Sequence, residues 1–233
     1  MASDRIVIAL QGVTKAFPLG DGRALEVINI PALELGEGSY TVLKGPSGSG
    51  KTTLLNLIAG ITVPTDGKIW LDGAEMFALP EAHRDRFRAD HIGYIFQTFN
   101  LLAAFTALEN VMLAMMFTPR FSKREQRQRA VELLAKLGLG ARLSHRPHQL
   151  SRGEQQRVAI ARAFVNDPPV ILADEPCASL DPNTARLVLD EFLAICREER
   201  KTVLVVSHDE RAMRGADQIL DMTAINRAVT LPA

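Results

Sequence analysis

The sequence predicts an α/β fold, a mainly parallel sheet with helices between its strands and a helical insertion. Three observations carry this reading. Val170–Ala173 and Val203–Val206 are unbroken aliphatic runs, as strands buried on both faces require. Ser39–Leu43 is a short apolar run that passes through a glycine-rich loop into Thr52–Ala59, where apolar residues recur at helical spacing. From about Asn100 to Arg162 the chain reads mainly as helix.

In chain order, Ile6–Leu10 and Ala24–Ile30 are aliphatic and read as short strands around a turn cluster at Leu19, Gly20, Asp21 and Gly22. The helix over Thr52–Ala59 ends at Gly60. Pro64–Gly67 is a turn, and Lys68–Leu71 a strand returning from it. Glu81–Ala89 is polar and charged, and Ile92–Phe96 is an apolar run closed by Gln97. Helices are expected at Leu108–Phe117, at Ser122–Leu137 and after Ser151. Ser122 with Glu125 makes a capping box, and Gly138 a stop. Asn183–Arg197 carries apolar residues at helical spacing between the two buried strands. Strand, helix, strand, helix is a parallel arrangement, and no internal repeat or low-complexity tract interrupts it.

Composition narrows the classes. The 233 residues hold 27 Lys plus Arg against 27 Asp plus Glu, so net charge gives no pointer to nucleic acid. Cys177 and Cys196 have no metal-ligand spacing and make no disulfide framework, which fits a reducing cytosol. No signal peptide is expected at Met1–Arg5. The longest apolar stretch, Leu101–Phe117, is broken by Glu109 and Asn110 and falls short of the ~20 residues a membrane span needs.

Gly45, Pro46, Ser47, Gly48, Ser49, Gly50, Lys51 and Thr52 complete the GxxxxGK[ST] pattern. Its glycines let the backbone curl so that successive N–H groups point at phosphate oxygens. The helix that follows adds a positive N-terminal dipole. Lys51 is placed to reach the β and γ phosphates of ATP, and the Thr52 hydroxyl to help hold Mg²⁺. Val170–Ala173 ends in Asp174 and Glu175. Asp174 is expected to face the Mg²⁺, and Glu175 to orient or deprotonate the attacking water.

Leu150, Ser151, Arg152, Gly153, Glu154, Gln155, Gln156 and Arg157 resemble the signature of the ABC (ATP-binding cassette) ATPases, usually written LSGGQ. The order of phosphate loop, Gln97, signature, acid pair, Ser179-Leu180-Asp181 and His208 also resembles that family, over essentially the whole chain. The resemblance implies a P-loop NTPase core with a mainly parallel sheet, an N-terminal antiparallel β subdomain and an inserted α-helical subdomain. It implies a single ABC ATPase domain: residues 1–97 and 163–233 form the ATP-binding core with its β subdomain, and 98–162 the helical signature subdomain.

Residue by residue, it implies that Phe17 stacks on adenine and that Gly45 through Thr53 cradle phosphate. Gln97 meets Mg²⁺ and the attacking water, and His208 senses the γ-phosphate. Ser151 and Gly153 contact the γ-phosphate across a dimer interface, and Asp181 touches the opposite copy's phosphate loop. Arg152 and Glu154 depart from the usual Gly and Gln. ATP and Mg²⁺ are the implied cofactors. The implied partners are a second copy of the chain and a transmembrane permease subunit, with no nucleic acid. The implied location is the cytoplasmic face of the inner membrane, held there by that partner.

Within the family, Gly45–Leu57, His91–Gln97 and Glu154–Ala163 resemble the ATPases of lipoprotein-release and macrolide-export systems. Export or mechanical work through a partner and a regulatory, non-transporting membrane role of the cell-division type both fit. Nothing in the sequence separates them. A soluble role on DNA or ribosomes fits less well. Gln97 and Leu150 lie too close to enclose a long coiled coil, and only one cassette is present.

Overall fold

The structure is a computed structural model and describes residues 5–20 and 22–228. β1 (Ile6–Pro18), β2 (Ala24–Gly36) and β3 (Tyr40–Lys44) precede α1 (Lys51–Ile58). Next come β4 (Asp66–Leu71), β5 (Ala74–Glu75), α2 (Glu81–His91) and β6 (Ile92–Ile95). α3 (Ala107–Met112) runs on into a 3-10 turn at Leu113–Phe117, and α4 (Lys123–Lys136), α5 (Arg152–Phe164) and β7 (Val170–Asp174) follow. The described chain ends with α6 (Pro182–Glu198), β8 (Thr202–Val206), α7 (Glu210–Met213), β9 (Gln218–Asp221) and α8 (Met222–Ile225). These elements gather into two compact units, one made of the residues up to Arg84 together with those from Thr202, the other of Asp85–Lys201.

The first unit holds an antiparallel sheet in the order β2-β1-β4-β5 and the parallel strands β8-β3-β9. In the antiparallel sheet Leu10 faces Leu33 on one side and Ile69 on the other, and all three are buried. Pro31 sits in β2, an edge strand, where its missing N–H costs no ladder bond. Every residue of β8 is buried, which accounts for its unbroken aliphatic sequence. Tyr40 of β3 closes the core by donating its hydroxyl to the Ala212 carbonyl at 2.7 Å.

In the second unit β6 and β7 pair in parallel, α5 packs on β6, and α3, α4 and α6 pack on α5. Phe164 of α5 meets Phe192 of α6 edge to face, with centroids 6.1 Å apart. α5 also lies close against β6 at Gly93, where an added Cβ would stand 2.3 Å from the Ala163 carbonyl oxygen. Asn110 is fully buried; it accepts from the Leu102 N–H at 2.8 Å and donates to the carbonyls of Phe105 and Thr106, ordering the 101–106 loop.

Several elements differ from the sequence reading. β1 and β2 continue to Pro18 and Gly36, well beyond Leu10 and Ile30, because β1 is paired on both sides and its polar second half is held by ladder bonds. The turn between them is closed by Leu19 N–H to the Arg23 carbonyl at 2.7 Å, while Asp21 lies outside the described residues. The polar stretch from Glu81 is a helix with no buried residue, so it lacks the apolar stripe that would announce it. It is supported by the Arg88–Asp85 ion pair at 2.9 Å and by stacking of Phe87 on His91. Leu108–Phe117 is helical, but its second half tightens into the 3-10 turn. Both cysteines are free.

Candidate functional site

In the first unit β3 delivers the chain into the phosphate loop, and the loop delivers it into α1. The backbone turns through positive φ at Gly45, Gly48 and Gly50, with values of 151°, 76° and 94°, a path that L side chains rarely take. At Gly45 a Cβ would also stand 2.7 Å from that of Met222, so α8 closes one flank of the loop. Gly50 is the N-cap of α1 and supplies no side-chain cap. Lys51 is buried, and its ammonium donates to the carbonyls of Gly45 and Pro46 at 2.7 and 2.8 Å. Ser49 is buried, and its Oγ has no hydrogen-bond partner among the described residues. Ser47 and Thr52 are exposed, and Thr53 is half-buried.

β3 and β8 run in parallel with Leu43 beside Val206, and the Ser207 N–H donates to the Leu43 carbonyl at 3.3 Å. The phosphate loop and His208 therefore leave the sheet at the same end. His208 is exposed, and Asp209 beside it caps α7. The Arg211 side chain holds the Asp209 carboxyl below the usual carboxylate range. Phe17 stands near the end of β1, opposite Leu25; the residue is 39% exposed, and the Lys15 ammonium lies 5.0 Å from its ring centroid. It is thus an accessible aromatic face on the antiparallel sheet.

In the second unit the parallel register sets Ile95 beside Ala173. Gln97, two residues beyond β6, and the pair Asp174–Glu175, at the end of β7, consequently leave the same edge. Asp174 is buried. Glu175 has φ of 44°, an uncommon left-handed conformation for a glutamate, and is half-buried. Burial, and secondarily the charge of Asp174, pushes the Tyr94 phenol above its usual range. The segment after Gln97 is clamped by Arg162 of α5, which donates to the carbonyls of Phe99 and Asn100 at 2.9 and 2.6 Å.

The signature forms the start of α5. Ser151 is its N-cap, accepting from the Glu154 N–H at 3.2 Å, while Glu154 accepts from the Ser151 N–H at 2.8 Å. Glu154 also takes the Arg142 Nε at 2.8 Å. That bond, and next the Ser151 backbone, hold its carboxyl below the ordinary range. Gly153 is buried against α6, where a Cβ would come within 2.5 Å of Thr184 Cγ2. Arg152 is exposed and donates to the Ser179 carbonyl at 3.1 Å. The Asp181 carboxylate caps α6 through the N–H groups of Asn183 and Thr184 at 3.2 and 3.1 Å.

Three positioning residues escaped the sequence reading. Asn226 donates to the carbonyls of Val27 and Ser49 and accepts from the Asn29 N–H, binding β2 to the phosphate loop. Arg162 clamps the segment after Gln97, and Arg142 holds Glu154. Each acts on backbone or on a side chain distant in sequence, so no local spacing betrays it.

A profile of the ABC transporter family matches residues 28–178. The chain is 41% identical to the lipoprotein-releasing system ATP-binding protein LolD of Pseudomonas syringae pv. tomato, over 94% of this chain and 95% of that protein. It is 43% identical to the macrolide export ATP-binding/permease protein MacB of Rhodopirellula baltica over 93% of this chain, but spans only 32% of that longer protein. A solved dimeric ATP-binding cassette in a post-hydrolysis state, bound to ADP and Pi, matches with a TM-score of 0.84 at 40% identity, covering 92% of this chain and 93% of that one. The chain therefore belongs to the ABC transporter family, and its α/β P-loop fold is that of an ABC-type ATPase.

Proposed function

We propose that this chain is the ATP-hydrolysing motor subunit of a membrane complex, closing as a homodimer around two ATP molecules to drive export or mechanical transmission through a separate transmembrane partner. The observation that carries the reading is the phosphate loop. Its three left-handed glycines curl the backbone, Ser49 offers a buried hydroxyl with no described partner, and Lys51 is gathered at the loop's own carbonyls. A loop of this form suits the oxygens of a triphosphate.

In this reading the N–H groups of Gly45 through Thr53 cradle the phosphates and the Phe17 ring stacks on adenine. Lys51 neutralises the β and γ phosphates. Ser151 and Gly153 reach the γ-phosphate held by the other copy, and Asp181 lies against that copy's phosphate loop. Glu175 orients the attacking water and accepts its proton, with Gln97 and His208 positioning water and γ-phosphate. The Thr52 hydroxyl, the Asp174 carboxylate and the Gln97 carboxamide oxygen are hard oxygen donors, a set that fits Mg²⁺, and they would hold it. Bound there, Mg²⁺ offsets charge on the phosphate oxygens. Functionally, residues 1–97 and 163–233 serve as the ATP-binding core and 98–162 as the signature subdomain.

No helix among the described residues is long and apolar enough to cross a membrane. The relatives named for lipoprotein release and macrolide export support a place on the cytoplasmic face beside a permease. The test is to trap a tagged Glu175→Gln form with Mg-ATP in its host and identify what co-purifies from solubilised membranes. A partner with few spans and a large outer domain is expected. A well-formed ATP-bound dimer that brings down no membrane protein would refute the motor assignment and favour a soluble role.

A further inference from the structure

Arg152 stands where the ABC signature usually has Gly, and it makes a contact that Gly could not make. Its side chain leaves the first position of α5 and donates from Nη1 to the Ser179 carbonyl at 3.1 Å. That carbonyl is its one hydrogen-bond partner among the described residues.

Ser179 lies in the segment that joins Glu175 to α6. Two turns shape this segment. The Ala178 N–H donates to the Glu175 carbonyl, and the Leu180 N–H to the Cys177 carbonyl, each at 3.1 Å. The segment ends at Asp181, the N-cap of α6. Its start is held in an uncommon conformation, since Glu175 has φ of 44°. Left-handed backbone at a residue with a Cβ persists only where its surroundings hold it there.

Both ends of the segment are set by the packing of the second unit. β7 is buried along its whole length. α6 is fastened to α5 by Arg157, which donates to the Glu191 carboxylate at 2.7 and 3.0 Å, and by the close approach of Gly153 to Thr184. The middle has less to hold it. Ala178 is exposed, and the buried Ser179 hydroxyl has no hydrogen-bond partner among the described residues. The bond from Arg152 therefore pins the segment at its middle, and it does so from the signature itself.

We infer, resting on the motor reading above, that Arg152 is a positioning residue for hydrolysis. By holding the Ser179 carbonyl it fixes the turns behind Glu175, so the setting of that carboxylate follows the seating of the signature in the same chain. Arg152 acts through backbone and touches neither the water nor the phosphates. An exposed hydrogen bond of this kind adds little to global stability, so its loss should be read in turnover and local opening rather than in unfolding.

The experiment compares wild type, Arg152→Ala and Arg152→Lys as purified full chains. In nucleotide-free protein, hydrogen exchange at the Ala178 and Leu180 amides should quicken several-fold in Arg152→Ala, with the thermal midpoint unchanged. Its kcat should fall about tenfold, as slight misplacement of a reacting group does, with KM for ATP unchanged. Arg152→Lys keeps a donor for a single carbonyl and should recover most of both losses. Unchanged exchange or unchanged turnover in Arg152→Ala would overturn the assignment. So would a lowered thermal midpoint, which would make the contact merely structural. A raised KM, or loss of the ATP-bound dimer when Arg152→Ala is added to Glu175→Gln, would instead place the guanidinium on the nucleotide or the second copy, and would overturn it too. The motor reading fails separately, if Glu175→Gln with Arg152 intact forms no dimer in Mg-ATP; the exchange measurement needs neither nucleotide nor a second copy.

Discussion

Glu154 stands where the signature usually has Gln, and its carboxylate is engaged twice, by the Ser151 N–H and by Arg142. Because those bonds favour the ionised form, its folded pKa lies below the ordinary 4.5. A depressed acid contributes stability that is full above its unfolded value and is lost as pH falls through the folded value. Glu154→Gln keeps an acceptor but removes the charge. The stability gap between wild type and variant should therefore shrink below pH 4.5. The pair is partly exposed, with Arg142 44% accessible, so the gap at neutral pH should be under about 1 kcal/mol. Thermal midpoints measured from neutral pH downward check this, and a gap that widened on acidification would refute it. At this scale the phosphate loop and acid pair were legible because their chemistry demands residue types at fixed spacing. Asn226 and Arg162 were not, because they bind carbonyls far away in sequence.

Among the elements, the contact of α5 with β6 depends on a missing side chain. A methyl at Gly93 would meet the Ala163 carbonyl oxygen at 2.3 Å and Ile171 Cδ1 at 2.6 Å. The first is backbone and cannot rotate away. Gly93→Ala should cost about 1–3 kcal/mol, as overpacked cores do, and lower the thermal midpoint by several degrees. An unchanged midpoint would mean that α5 moves off the strand freely. Buried strands such as β7 and β8 were readable from unbroken aliphatic runs, and α4 from its capping box. The long tails of β1 and β2 were not, since ladder bonds rather than apolar alternation sustain them. α2 was missed for the same physical reason: with no buried residue, it writes no stripe into the sequence.

At the scale of the whole molecule the reading requires two copies. In the proposed function the signature residues serve a nucleotide held by another chain, so ATP should act as the joint. Glu175→Gln should be monomeric without nucleotide and dimeric with Mg-ATP, measured by light scattering on a sizing column. Dimerisation indifferent to ATP would remove the proposed cycle, which turns on a γ-phosphate that biases two states.

Sequence alone determined that this is an ABC ATPase, because phosphate binding, the acid pair and the signature each constrain residue type locally. Tertiary structure decided how those groups are held. Parallel register sends the phosphate loop and His208 from one strand end in the first unit, and Gln97 and the acid pair from one edge in the second. Register and burial depend on pairings between segments distant in the chain, and no single segment records its partner.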